Sequence, residues 1–101
     1  MNAKPEPIFL QDVKVEPGEL VQLSCKAGYG VAFHPLRPLY RGETPPPPVD
    51  IPDGTLLMYI TRDQAWSDIK MQPMVYVARG SSLLSIDERF LAPVPPADVV
   101  V

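Results

Sequence analysis

The sequence has little of the chemistry that most enzymes and metal sites require, since it contains one cysteine, Cys25, and one histidine, His34. One residue of each kind cannot supply the ligand sets that zinc prefers, and a single cysteine cannot form a disulfide within the chain. Cys25 and His34 could act as nucleophile and base, but neither lies in a local signature of that chemistry. We therefore expect a protein that is not an enzyme and that uses no metal or cofactor.

Long apolar runs and clusters of basic residues are also missing. No stretch approaches the roughly 20 apolar residues of a membrane-spanning helix, and the first residues contain no apolar run typical of a signal peptide. The nine lysines and arginines are scattered along a chain of net charge −3, which gives a phosphate backbone little to bind. We expect no membrane or nucleic-acid partner, and a cytoplasmic or virion-associated location without export.

Proline, in contrast, is abundant, with 14 among 101 residues. Because proline fixes φ and has no backbone N–H group, this number argues against long helices and favours short strands joined by irregular segments. The hydrophobic content of 46% suits a folded protein, and a chain of this length has room for one core. The composition predicts a single, mainly β domain.

The pattern of residues divides the chain into an arm, a domain and a tail. Residues 1–12 are predicted to form an extended N-terminal arm whose apolar residues dock on their own domain or on a neighbour. Residues 13–94 are predicted to form the domain, and 95–101 a C-terminal tail ending in valines. Within the domain, 27–54 holds half of the prolines, so we expect a long Pro- and Gly-rich loop with a short strand near Val31 to Phe33.

Three stretches predict strands more directly. After a turn at Glu16-Pro17-Gly18, apolar residues alternate so that Val21, Leu23 and Cys25 share one face. Residues 55–62, "TLLMYITR", are apolar on both faces, which predicts a central strand. Residues 74–79 and 82–86 flank Gly80-Ser81, which predicts a hairpin. Asp87 then suits the cap of a single 3₁₀ turn.

The segment "RGSSLLSIDERFLAPV", residues 79–94, resembles the end of an SH3-like barrel, with a hairpin, a 3₁₀ turn and a brief closing strand. "PGELVQLS" resembles the opening strand of such barrels. The resemblance implies that the closing strand pairs with the first and that Phe90 and Leu91 pack into the barrel. It also places 27–54 where the large loop after the first strand lies. We therefore expect a small SH3-like barrel of about five short strands, with a long Pro-rich loop and extended terminal arms.

The sequence departs from the peptide-binding SH3 domains, because Trp66 stands alone and the 3₁₀ segment has no proline-tyrosine pair. A receptor for proline-rich peptides is therefore not supported. Small barrels of this kind recur in bacteriophages and other assemblies, and this analogy predicts a non-enzymatic structural or adaptor subunit, such as a virion accessory protein. It would form homo-oligomers or bind other protein neighbours through its arms and barrel edges. The alternative is a stand-alone protein-binding module or inhibitor that uses the 27–54 loop and Trp66.

Candidate interface residues are apolar side chains in the arm, the loop and the tail, together with Trp66, for which a lid folded over one end of the barrel is the favoured alternative. The full set is Ile8, Phe9, Leu10, Tyr29, Phe33, Tyr40, Trp66, Val99 and Val101. The four prolines Pro45 to Pro48 do not match the spacing of SH3, WW or EVH1 ligands. We expect them to form a stiff polyproline spacer.

Overall fold

A computed structural model describes residues 5–35, 40–63 and 73–95. These residues form nine β-strands and one 3₁₀ turn, and none of them lies in an α-helix, so the prediction of a mainly β protein is confirmed. The strands are β1 (Ile8–Leu10), β2 (Val13–Val15), β3 (Leu20–Leu23), β4 (Tyr29–Phe33), β5 (Val49–Pro52), β6 (Leu56–Arg62), β7 (Met74–Arg79), β8 (Ser82–Asp87) and β9 (Leu91–Pro93), with the 3₁₀ turn at Glu88–Phe90.

Seven strands form one antiparallel sheet in the order β5-β4-β8-β7-β6-β3-β9, and β1 pairs with β2 in a separate hairpin. The end strands β5 and β9 do not pair with each other, so the sheet of the described residues is not closed into a barrel. The strand number also exceeds five, because β4 and β5 lie inside 27–54. That segment is therefore partly sheet, with β4 paired to both β5 and β8.

The core lies on one face of the sheet, which we call the inner face. Strands β3, β6, β7 and β8 each alternate, so that every second residue points to this face. Its buried apolar side chains include Val21, Leu23, Leu57, Tyr59, Val75, Val77, Leu84 and Ile86, and Cys25 and Phe90 pack against the cluster. The predicted hairpin of β7 and β8 is confirmed, with Arg79 paired to Ser82 across the turn.

The N-terminal segment completes this core. Ile8, Leu10 and Val15 of the β1–β2 hairpin are buried in the same cluster as the sheet residues. The Tyr59 hydroxyl donates a hydrogen bond to the carbonyl of Glu6, which fixes the chain just before β1. Burial is the main reason that the pKa of Tyr59 is raised. The apolar patch at residues 8–10 thus docks on its own domain.

The 3₁₀ turn between β8 and β9 is capped as the sequence predicts. The Asp87 carboxylate accepts a hydrogen bond from the backbone N–H of Arg89 at 2.9 Å and is also bound by the Arg89 guanidinium. Burial by itself would raise the pKa of Asp87, but the hydrogen bonds from Arg89 outweigh it, so the pKa is lowered. The turn directs the chain into β9, which returns beside β3.

Gly30 marks the closest approach of β4 to the rest of the core. A Cβ atom at this position would lie 2.9 Å from Leu23 Cδ1 and 3.2 Å from Phe90 Cδ2. We therefore expect Gly30→Ala to lower the free energy of unfolding by about 1–3 kcal/mol through overpacking, as measured by urea denaturation. The loss of stability caused by Gly30→Ala should be smaller in a Leu23→Val background, because valine lacks the Cδ1 atom that clashes. An unchanged unfolding midpoint for Gly30→Ala would contradict this packing.

Candidate protein-binding surface

A row of apolar side chains crosses the outer face of the sheet, opposite the core. Leu20 of β3 pairs with Met58 of β6, Met58 pairs with Ala78 of β7, and Ala78 pairs with Leu83 of β8. Paired residues of an antiparallel sheet project to the same side, so these four form one line, which we call the apolar row. At the usual strand spacing the row spans about 14 Å.

The large members of the apolar row are open to solvent. Leu20 is 52% exposed, Met58 38% and Leu83 44%, and the neighbouring Leu56, on the same face of β6, is 53% exposed. Single exposed apolar residues are normal, but a contiguous group across four adjacent strands is typical of an interaction site. The apolar row is therefore the best candidate for a protein-binding surface among the described residues.

A shallow groove extends this surface beyond Leu20. It has a volume of about 380 Å³ and lies between the β1–β2 hairpin and the β3–β9 end of the sheet, lined by Val13, Lys14, Val15, Glu19, Leu20, Pro93 and Val94. The charges at the groove are paired locally: Lys14 Nζ lies 3.0 Å from Glu16 Oε1, and Glu19 accepts a hydrogen bond from the Glu16 backbone. The apolar part of the groove, with Val13 47% exposed, continues the apolar row.

The other half of the outer face is polar and closed. Asp63, at the end of β6, and Ser85 of β8 are both buried, and Ser85 Oγ donates to Asp63 Oδ2 at 3.2 Å. The pKa of Tyr76 is raised, first by burial and then by the negative charge of Asp63 and a hydrogen bond to it. Asp63 is thus hydrogen-bonded to both Ser85 and Tyr76 within the protein. We interpret this network as a structural feature that marks the limit of the apolar row.

The β5 edge of the sheet is poorly suited to adding a strand. Asp53 N donates to the Gly28 carbonyl at 2.9 Å, and bonded and non-bonded pairs alternate along an antiparallel ladder. The backbone groups of Asp50 and Pro52 therefore point away from β4. Pro52 has no N–H group, and its carbonyl already accepts from Thr55. Asp50 is left as the one outward donor of β5, a strand that begins directly after four prolines.

The β9 edge is blocked in the same way. Ser24 N donates to the Phe90 carbonyl at 2.7 Å, so the alternation points the backbone of Leu91 and Pro93 away from β3. The Leu91 N–H donates a hydrogen bond to the carbonyl of Glu88, and Pro93 has no N–H group. Prolines at exposed edges are a common protection against edge-to-edge association. Part of the proline excess thus limits what can bind at the two edges of the sheet.

The candidate interface residues from the sequence fall in different places. Ile8 and Leu10 are buried, whereas Phe9, between them, is 65% exposed. Tyr29 and Phe33 project from the same side of β4 and are 49% and 38% exposed. The most exposed of the set is Tyr40, at 80%. The predicted sites at Trp66, Val99 and Val101 lie outside the described residues.

Sequence reasoning missed the residues of the apolar row. The pattern that could have indicated these residues is in "TLLMYITR", which carries apolar residues on both faces. We interpreted that pattern as a strand buried on both sides, whereas in the structure Leu57 and Tyr59 are buried and Leu56 and Met58 are not. The position of β6 in the middle of the sheet agrees with the expectation, but the covering layer on its outer face is missing at Met58.

Similarity to known proteins and the grouping of metal-binding side chains indicate no other site among the described residues. No protein-family model matches this chain, and searches of curated proteins and of solved structures find no significant match. Within the described ranges, no three His, Cys, Asp or Glu side chains are grouped to hold a metal ion. None of the residues placed by the structure forms a helix of the length and hydrophobicity that a bilayer requires. Function is therefore argued from the apolar row and the groove.

Proposed function

We propose that this protein is a structural or adaptor subunit that binds another protein through the apolar row. The observation that carries the proposal is the contiguous line of Leu20, Met58, Ala78 and Leu83 across four paired strands. Covering such a surface removes apolar area from water, which is the main favourable term in protein association. No catalytic step is part of the proposal.

The expected strength of this interface is moderate. Fully burying a Leu or Met side chain is worth about 1.5–3 kcal/mol, so covering the half-exposed Leu20, Leu56, Met58 and Leu83 would contribute about 1 kcal/mol each. A partner with a comparable apolar surface doubles this to about 8 kcal/mol, and the entropy lost on association must be subtracted. Micromolar affinity corresponds to about 8 kcal/mol, so further contacts, such as those of the groove, are needed to reach it.

The finer proposal of an SH3-like architecture has local support. The closing strand β9 pairs with β3, the 3₁₀ turn precedes it, Leu91 is buried and Phe90 packs against the core. Assembly through this fold would use the outer face, because Pro52, Pro93 and the Leu91–Glu88 hydrogen bond leave Asp50 as the one free outward N–H that we find on the β5 and β9 edges. The proposal that the assembly is a bacteriophage particle rests on analogy with other small barrels. It does not bear on whether the outer face is the binding surface.

One observation favours the alternative of a stand-alone binding module. Tyr40 is 80% exposed in the segment between β4 and β5, and tyrosine is enriched at binding hot spots. This hypothesis predicts that Tyr40, and not Met58, controls binding. The two proposals are therefore separated by a pair of matched variants.

Replacing Met58 by glutamate should abolish binding at the apolar row, because covering it would then bury an unpaired carboxylate. We expect Met58→Glu to weaken association at least about tenfold, which corresponds to about 1.4 kcal/mol. The measurement is the affinity of the full chain, by analytical ultracentrifugation for self-association and by quantitative affinity purification from the cells that express it for another partner. Tyr40→Glu, also an exposed position, is the control and should bind as the wild type does.

Both variants must first show the circular dichroism spectrum and unfolding midpoint of the wild type. If Met58→Glu binds every partner as strongly as the wild type does, the apolar row is not the interface. If Tyr40→Glu alone loses binding, the stand-alone module is the better function. A wild-type chain that binds neither itself nor another protein would overturn both.

A further inference from the structure

We propose that the partner covering the apolar row is a second copy of this chain, packed face to face about a two-fold axis. This inference rests on the proposed function and names its partner. The axis would lie between the two sheets, parallel to the strands, midway between Met58 and Ala78. Sheets that pack in this aligned way are separated by about 10 Å.

The order of side-chain sizes along the apolar row favours this axis. From one end the row reads large, large, small, large: Leu20, Met58, Ala78, Leu83. Rotation about the proposed axis places Met58 of one copy over Ala78 of the other, so that a large side chain fills the space above a small one. An axis along the row would instead place Ala78 over Ala78 and Met58 over Met58. That arrangement leaves a gap beside a crowded contact, which well-packed interfaces avoid.

The two ends of the apolar row are also complementary to each other. The same rotation brings Leu83 of one copy over Leu20 of the other, which lines the groove together with Val13 and Val94. Leu83 stands beside the tight turn between β7 and β8 and is 44% exposed, so it can reach into that groove. Each copy thus carries a projecting side chain at one end and a groove with an apolar part at the other, as an isologous interface requires.

The charges on this face also allow it to meet itself. The outward residues beside the apolar row on β3 and β6 are Gln22, Leu56 and Thr61, none of which is charged. A face with charges of one sign near the axis would repel its own copy. The carboxylates on this side are already bonded within the chain: Asp63, on the polar half of the face, is buried and accepts a hydrogen bond from Ser85, and Glu19 at the groove accepts one from the Glu16 backbone.

Charge exchange across the interface tests this arrangement directly. The full chain should dimerise reversibly in sedimentation experiments, and Leu20→Glu and Leu83→Lys should each weaken dimerisation at least tenfold. Mixing these two variants should form a heterodimer at least tenfold tighter than either homodimer. The reason is that the introduced glutamate of one variant would face the introduced lysine of the other, while the second Leu20–Leu83 contact remains. This rescue should weaken as salt is raised.

The matched control is a mixture of Leu20→Glu with Met58→Lys, which the axis does not bring together and which should show no rescue. Rescue in this control, or its absence in the first mixture, would overturn the arrangement. A wild-type chain that stays monomeric while Met58→Glu loses a different protein would overturn the second-copy partner and leave the proposed function standing. If Met58→Glu changes no association of any kind, the proposed function fails as well.

Discussion

Replacing Ile8 by alanine is expected to lower the free energy of unfolding by about 3 kcal/mol, within the usual range of about 2–5 kcal/mol for buried Ile→Ala changes. Ile8 has no exposed surface and lies in the core cluster together with residues of the sheet. Its pairing with Val15 also fixes the register of the β1–β2 hairpin. The loss therefore combines the transfer free energy of the removed atoms with the cavity left behind. Chemical denaturation measures it directly.

The neighbouring Phe9 provides the matched control. Phe9 is 65% exposed, so Phe9→Ala should change the free energy of unfolding by no more than about 0.5 kcal/mol, as for most surface substitutions. If the two variants lost equal stability, or if Ile8→Ala lost none, the hairpin would not be part of the core. Deleting residues 1–12 should accordingly unfold the domain, and such a deletion cannot serve as a simple test of assembly.

The parts of the fold that the sequence predicted are those with clear turn chemistry. Gly80-Ser81 between two β-rich runs predicted the β7–β8 hairpin, and Gly80 has a positive φ of 59° in the turn. Asp87 predicted the cap of the 3₁₀ turn. In these places local propensity, alternation and turn residues all agree, which is the condition under which sequence patterns specify structure.

The β1–β2 hairpin lacked such a signal. Its two-residue turn is Gln11-Asp12, with φ values of 50° and 65°, where Asn-Gly or Asp-Gly would be usual. Residues other than glycine seldom adopt positive φ, and glutamine is an unusual choice for this position. The alternation of Ile8 and Leu10 with Val13 and Val15 was the only available indication. With prolines at both ends, that short pattern was interpreted as an extended arm.

The candidate surface could not be predicted, because the exposure of an outward side chain depends on whether a second layer covers that face of the sheet. The residue pattern of one strand does not show this. An apolar residue such as Met58 has the same pattern whether a second layer covers it or not. The structure shows a seven-stranded sheet whose inner face forms the core together with the β1–β2 hairpin and whose outer face is open at the apolar row. The same apolar pattern therefore encodes a core on one side and a candidate interface on the other.

The second large effect on the free energy of unfolding is expected at Asp63, on the polar half of the outer face. Its side chain, only 3% exposed, accepts a hydrogen bond from Ser85 Oγ and is bonded to Tyr76. Hydrogen bonds to a charged group are worth about 1.5–3 kcal/mol, and a buried group left without its partner costs more. Burying the carboxylate also carries a desolvation cost, which its removal returns. We expect Asp63→Ala to lower the free energy of unfolding by about 2–3 kcal/mol in net terms.

A double-mutant cycle with Ser85→Ala measures the network itself. If Asp63 and Ser85 act together, the double variant should lose at least about 0.5 kcal/mol less than the sum of the single variants. Strict additivity would show that Asp63 and Ser85 contribute to stability independently of each other. A stabilising Asp63→Ala change would show that burying the carboxylate costs more than its hydrogen bonds return.

The pH dependence of stability gives a separate measure of the same contact. The pKa of Tyr76 is raised in the folded protein by burial, by the charge of Asp63 and by their hydrogen bond. A raised pKa means that the unfolded chain loses the proton first, so this stability is present below pH about 10 and is lost as pH rises through the folded-state pKa. Removing the Asp63 carboxylate brings the two pKa values of Tyr76 closer together. The difference in stability between wild type and Asp63→Ala should therefore narrow above pH about 10, and a constant difference would place Tyr76 outside the network.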